Sequence, residues 1–164
     1  MTLQSQLPEV PATLSALIRA AIAEARRLDP SVYQPKYHIW HSSHPAACFV
    51  CDAGAVVAGT LIPASESLQS SSTCYPNYFP HAWEQALHAI DAARCGYIGD
   101  ALAYLQRAHD PGAPFDPAAF SEINDAVLEA LGPNCNATYT DWPTFNAHLA
   151  YMERLAEHLD TINC

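Results

Sequence analysis

The chain has 164 residues, of which 50% are hydrophobic, and a net charge of −10 at pH 7. Because typical domains have roughly 100 to 150 residues, residues 1–164 are expected to form a single domain. With only 7 lysines and arginines, no secretion-type leader and no run approaching the roughly 20 apolar residues of a membrane span, the composition predicts a cytoplasmic protein that binds neither nucleic acid nor a membrane directly.

The first predicted element is an amphipathic helix over residues 11–28. Pro11 opens this helix, and Asp29-Pro30 closes it. Apolar side chains recur at helical spacing along one stripe: Leu14, Leu17, Ile18, Ala21, Ile22, Ala25 and Leu28. Residues 30–46 contain prolines and aromatic residues and are predicted to be a long, extended loop.

Residues 46–61 are rich in alanine, valine and glycine and have almost no polar face. Two structures fit this composition, a buried helix or a buried strand around residues 55–58. The length and the alanines favour the helix. Gly54 and Gly59 would each cost it about 1 kcal/mol relative to alanine. We therefore expect these glycines, with Ala55 and Ala58, to lie where neighbouring helices approach too closely for larger side chains.

A second long loop and a helical hairpin are predicted next. Residues 63–80 are rich in serine and proline, which is typical of a loop. The first helix of the hairpin follows Pro80 and ends near Cys95-Gly96, and the second begins around Gly99-Asp100 and ends before Pro111.

Two further helices complete the predicted fold. One begins at Asp116-Pro117 and ends at Leu131-Gly132-Pro133, and the other begins at Asp141-Trp142-Pro143. The stripes expected to be buried are Phe120, Ile123, Val127 and Leu131 in the first, and Phe145, Leu149, Met152, Leu155, Leu159 and Ile162 in the second. The sequence predicts an all-α fold, a single compact domain of about six helices.

A cluster of histidines and cysteines indicates a metal site as one interpretation. His41, His44, Cys48 and Cys51 form a His-x-x-His followed by a Cys-x-x-Cys, and His38 precedes them. Imidazole and thiolate are the ligands that zinc prefers. The two pairs are closer together than in common zinc fingers, so buried thiols and no cofactor are the favoured interpretation. A small zinc-binding regulatory module is the alternative.

Two rows of acidic residues run along the last two predicted helices. They consist of Glu122, Asp125 and Glu129 in one helix and Glu153, Glu157 and Asp160 in the other. From Asp100 onward ten acidic residues stand against two arginines, which accounts for −8 of the net charge. One interpretation is solvated faces that keep the protein soluble. The other is a field that directs the protein onto the basic surface of a protein partner, such as one that normally holds nucleic acid.

No catalytic set can be picked out from the spacing of Ser, His, Asp and Glu residues. The sequence therefore predicts a protein that is not an enzyme. Its acidic rows favour binding to another protein, and a structural helical protein is a further alternative.

Three segments resemble small uncharacterised proteins of tailed phages and prophages. They are Trp40-His41, Cys48-Phe-Val-Cys51 with the small-residue run to Leu61, and Ala89-Ile-Asp-Ala-Ala-Arg-Cys-Gly96. The resemblance ends near residue 110. It implies a phage context, in which one class of small acidic proteins, including anti-CRISPR proteins, inhibits host defence machinery. We therefore expect a phage-encoded protein that inhibits or modulates a host protein in the host cytoplasm.

Overall fold

Six α-helices make up most of the fold in the computed structural model, which describes residues 7–37, 40–44, 47–64 and 79–164, with the backbone alone at 41–44 and 47–48. The helices are α1 Leu14–Arg27, α2 Asp52–Val56, α3 His81–Arg94, α4 Ile98–His109, α5 Ser121–Leu131 and α6 Trp142–Thr161. A π-helical turn, Val57–Leu61, and the short helix Ile62–Ala64 continue α2, and a 3-10 turn, Pro117–Phe120, precedes α5. The predicted all-α fold is confirmed.

Capping residues mark several helix boundaries, including the start of α1 after Thr13, three residues beyond the predicted start at Pro11. The side chains of Thr13 and Asp141 each accept a hydrogen bond from a backbone N–H three residues on, at 3.2 and 2.9 Å. Gly96 and Gly132 follow the ends of α3 and α5 with φ of +80° and +71°. Residues with a Cβ avoid this backbone region, so glycine ends the helix there without steric strain.

The core lies between α1, α2, α3 and α6. The α3–α4 pair packs as the predicted helical hairpin, α1 packs on α6, and α2 contacts both α1 and α3. Leu17, Ala55, Ile90 and Leu155 are fully buried where these helices meet. The predicted burial of Ile162 is wrong, because this residue lies beyond the end of α6 and is 37% exposed. None of the helices described is long and apolar enough to cross a membrane.

A small three-stranded sheet occupies part of the segment predicted as loop and helix. Its strands are β1 Tyr33–Pro35, β2 His41–His44 and β3 Ala47–Val50, with β3 in the centre, parallel to β1 and antiparallel to β2. The predicted loop over 30–46 therefore contains two strands, and the helix predicted from residue 46 begins at Asp52. The backbone N–H and C=O groups of β3 form hydrogen bonds with β1 on one side and β2 on the other. The alanine content of the segment gives no information about these neighbouring strands.

Gly54 of α2 lies against the backbone of Trp40, the residue before β2. A Cβ on Gly54 would lie 1.2 Å from the carbonyl oxygen of Trp40, whereas a Cβ on Gly59 would meet the carboxylate end of Glu24 at 1.7 Å. The predicted close approach is confirmed at Gly54, although the neighbour is a bend at Trp40 and not a helix. Ala58 is only partly buried. Most of the predicted loop over 63–80, residues 65–78, lies outside the described residues.

Candidate functional site

Three of the predicted zinc ligands lie on the hairpin formed by β2 and β3. His41 and His44 belong to β2, and Cys48 belongs to β3. His38 lies outside the described residues. Among the side chains that the structure describes, no group of three or more His, Cys, Asp or Glu is placed to hold a metal ion. Zinc binding at this hairpin stays a prediction.

Cys51, the fourth predicted ligand, is fully buried at the start of α2. Its Sγ accepts a hydrogen bond from the backbone N–H of Gly54 at 3.3 Å, so the thiol serves as the N-cap of the helix. Burial raises the pKa of this thiol well above its ordinary value, and the charges of Asp91 and Asp52 raise it further. A thiol that stays protonated is a poor nucleophile.

The acidic row of α6 faces arginines of α1. Arg19 binds Asp160 at 2.6 Å, and Arg26 binds Glu153. The hydrogen bond from Arg19 lowers the pKa of the Asp160 carboxyl. Glu157 lines a surface groove together with both arginines. Such exposed ion pairs add little stability, but they cancel much of the field of this row within the chain.

The acidic row of α5 points away from the rest of the domain. Val127 is the only fully buried residue of this helix. At about 100° of rotation per residue, Glu122, Asp125 and Glu129 lie on the side roughly opposite Val127. All three are exposed, and none forms an ion pair with another residue of the described ranges. Their charge is therefore presented to solvent.

Asp52, Tyr139 and His148 form a polar network in the core. The Asp52 carboxylate accepts a hydrogen bond from the Tyr139 hydroxyl at 2.8 Å and lies 2.8 Å from Nε2 of His148. The backbone N–H of Asp52 also donates to the Tyr139 hydroxyl, at 3.0 Å. Burial favours the neutral acid, but the interactions with His148 and Tyr139 outweigh it and lower the pKa of Asp52.

Asn134 determines which ring nitrogen of His148 carries the proton. Its Nδ2 lies 2.9 Å from the carbonyl oxygen of Arg94 and 2.9 Å from Nδ1 of His148, while its Oδ1 accepts from the N–H of Asn136. Because an amide nitrogen only donates, Nδ1 of His148 is the acceptor and Nε2–H donates to Asp52. His148 is completely buried, so the network is closed to a substrate and stabilises the junction of α2 and α6.

A second carboxylate, Asp91 of α3, holds the segment that precedes β2. It accepts a hydrogen bond from Nε1 of Trp40 at 2.5 Å. Part of the residue remains accessible, but its carboxyl group is enclosed, and this burial raises the pKa to about 7 against the lowering effects of Trp40 and Arg94. Trp40 is thus attached to α3 through its ring and lies against Gly54 of α2 through its backbone.

Neither buried carboxylate was predicted from the sequence. His148 gives one signal, because it lies three residues after Phe145 and four before Met152 on the predicted apolar stripe of the last helix. A polar residue at such a position needs a buried partner. That partner could not be identified, since Asp52 is 96 residues away along the chain.

No family model matches the sequence, and no curated protein or solved structure shows significant similarity to it.

Proposed function

We propose that this protein is a non-enzymatic binding protein that attaches to a basic surface of a partner protein through the acidic row of α5. The observation that carries the proposal is the contrast between the two acidic rows. Glu153 and Asp160 of α6 are bound by arginines of α1, whereas Glu122, Asp125 and Glu129 of α5 are exposed. The α5 row is the one whose charge is available to a partner.

An exposed acidic row suits recognition of a partner better than it suits stability of the fold. Exposed carboxylates stay hydrated, so they add little to the stability of the fold. Their summed field speeds the encounter with a basic surface and orients the partner as it approaches. The segment 95–141 contains seven acidic residues and one basic residue, Arg107. The enclosed position of the Asp52 network also supports binding over catalysis, because a substrate would have to enter the core to reach it.

The chemistry of the row indicates the class of partner. A surface that binds three spaced carboxylates carries several lysines or arginines, as nucleic-acid-binding surfaces do. The resemblance to phage proteins makes a nucleic-acid-binding complex of host defence the first partner to test. An inhibitor of this kind would compete with the nucleic acid for the same surface.

The test compares two variants that lose equal charge. The first is Glu122→Gln, Asp125→Asn and Glu129→Gln in α5, and the second is Glu153→Gln, Glu157→Gln and Asp160→Asn in α6. Partners captured from host lysate are quantified for each variant and for the unmodified chain. We expect the α5 variant to lose binding by about tenfold or more, since each lost charge pair contributes on the order of 1 kcal/mol, and the α6 variant to keep it.

Competition with nucleic acid completes the test. An oligonucleotide added in excess should release the captured partner from the unmodified chain. Retention of the partner by the α5 variant would contradict the assignment of the surface. Equal loss in both variants would show that only net charge matters. Thermal melting of both variants excludes unfolding as the cause.

A further inference from the structure

A cleft lies beside the acidic row of α5, where the start of α4 meets the 3-10 turn. It has a volume of about 280 Å³ and is lined by Tyr97, Gly99, Asp100, Pro117, Ala118, Ser121 and Asn124. The two helices are joined at this point by Asn124, whose Oδ1 accepts hydrogen bonds from the backbone N–H groups of Ile98 and Gly99 at 2.9 and 3.1 Å. The cleft is therefore a fixed feature of the α4–α5 junction.

Two exposed apolar side chains lie near the cleft: Tyr97, which precedes α4, and Leu128, on the flank of α5 that carries Asn124. Tyr97 at its edge is 60% exposed, and Leu128 is 48% exposed. Leu128 follows Asn124 by four residues, so it lies one helical turn further along the same flank. Exposed apolar surface beside a cleft is available to a partner.

Carboxylates border this flank. Asp100 lines the cleft, and Asp125 lies between the flank and the outer face of α5. The one basic residue of the segment 95–141, Arg107, is seven residues after Asp100 along α4, about 10 Å further along the helix axis. The flank therefore combines two exposed apolar side chains, Tyr97 and Leu128, with adjoining negative charge.

We propose that this flank receives the apolar face of a basic amphipathic helix of the partner, with an apolar side chain seated in the cleft and basic side chains against the adjoining carboxylates. The proposal rests on the proposed function, which it deepens by naming the partner segment. Helices of this kind dock into apolar grooves through residues spaced three and four apart. The carboxylates would select a basic helix over an acidic one.

The position of the cleft at the start of a helix does not make it an anion site. The first two N–H groups of α4 are already bound by Asn124, and Asp100 in the first turn of the helix would repel an anion. The apolar lining from Tyr97, Pro117 and Ala118 suits an aliphatic or aromatic side chain.

The test uses a synthetic probe in place of the unidentified partner. The probe is a helical peptide of leucine and lysine, about 18 residues long to give five turns, with all leucines on one face. A scrambled peptide of the same composition, with no apolar face, serves as the peptide control. Binding to the full chain is measured by fluorescence anisotropy at physiological salt, and the contacted residues are mapped by amide chemical shifts.

We expect the amphipathic peptide to bind more tightly than the scrambled one and to shift amides at residues 97–100 and 118–128. Tyr97→Ala and Leu128→Ser should each weaken binding by about tenfold, the effect of removing a central apolar contact. Val32→Ser is the matched control, because Val32 is also about half exposed but lies elsewhere. It should leave binding unchanged.

Three results would overturn the inference. The first is equal binding of the two peptides, and the second is unchanged affinity in both Tyr97→Ala and Leu128→Ser. The third is a set of amide shifts that excludes the cleft. If binding instead depends on Glu122, Asp125 and Glu129 alone, the inference fails while the proposed function stands. If capture of the natural partner does not depend on the α5 row, the proposed function itself fails.

Discussion

The hydroxyl group of Tyr139 forms two hydrogen bonds with one buried residue. It donates to the Asp52 carboxylate and accepts from the Asp52 backbone N–H. Tyr139→Phe would leave both groups of Asp52 without this partner in a dry environment, where an unsatisfied group costs about 1 to 3 kcal/mol. We therefore expect the free energy of unfolding, measured by urea denaturation at pH 7, to fall by about 2 to 4 kcal/mol.

A second tyrosine provides the control for this substitution. Tyr104 is partly buried and packs against His88 and Phe115, and its hydroxyl forms no hydrogen bond within the described residues. Tyr104→Phe should change the free energy of unfolding by less than about 0.5 kcal/mol, the usual range of a substitution that breaks no specific contact. Equal effects of the two substitutions would show that loss of the hydroxyl, and not of the network, determines stability.

At the scale of single residues, the sequence predicted local roles better than partnerships. Asp141, Gly96 and Gly132 act within a few residues of their own position, so their capping and turn roles were predictable. Asp52 and Tyr139 lie 87 residues apart, and no spacing rule connects them. The acidic rows were predicted, but the pairing of one row with arginines was not.

The boundary between β3 and α2 marks the limit of prediction at the scale of elements. α1, α3, α4, α5 and α6 were predictable because their apolar stripes and end signals lie in the same stretch of chain. The strand β3 exists because β1 and β2 flank it, and its composition alone resembles the start of a buried helix. The first residues of the predicted helix were therefore assigned to the wrong element.

Gly54 and Gly59 allow the packing of α2 to be tested with one type of substitution. A methyl group at Gly54 would collide with the backbone carbonyl of Trp40, which the hydrogen bond from its ring to Asp91 holds in place. Gly54→Ala should therefore lower the free energy of unfolding by about 3 kcal/mol or more, as overpacking against rigid backbone does. The measurement is thermal or urea unfolding.

Gly59→Ala is the matched control in the same helical segment. Its methyl group would meet the carboxylate end of the Glu24 side chain and not backbone, and this end can rotate away by giving up its ion pair with Arg27. Because alanine favours helix over glycine by about 1 kcal/mol, the variant should be as stable as the unmodified chain or slightly more stable. If Gly54→Ala melts like Gly59→Ala, α2 does not lie against the Trp40 backbone.

At the scale of the whole molecule, the charge of −10 is distributed by helix packing and not only by sequence. Arg19 and Arg26 are seven residues apart on α1, as are Glu153 and Asp160 on α6, so both pairs meet when the helices pack side by side. The row on α5 meets no such partner among the described residues. The sequence shows both rows, but only the fold distinguishes the neutralised one from the exposed one.

Two carboxylates make opposite contributions to the pH dependence of stability. The pKa of Asp52 is lowered, so its contribution is present at neutral pH and is lost on acidification. The pKa of Asp91 is raised from 3.8 to about 7 by burial, with the charge of Asp52 adding to the increase. Between these values the folded chain holds a proton on Asp91 that the unfolded chain has released, so its contribution is present at low pH and is lost as the pH rises to about 7.

Asp91→Asn removes this second dependence without removing the acceptor for Trp40. The amide oxygen can still accept the hydrogen bond from Nε1 of Trp40, and the side chain stays neutral at every pH. The variant should match the unmodified chain near pH 4 and exceed its free energy of unfolding at pH 8 by about 2 kcal/mol, about half of the limit given by the full pKa difference. Urea denaturation across this pH range measures the difference. Asp110→Asn, at an exposed position where the amide can still accept from Gly112, controls for the change from aspartate to asparagine itself. If Asp91→Asn runs parallel to the unmodified chain from pH 4 to pH 8, Asp91 is ionised in the fold throughout and its carboxyl group is not enclosed.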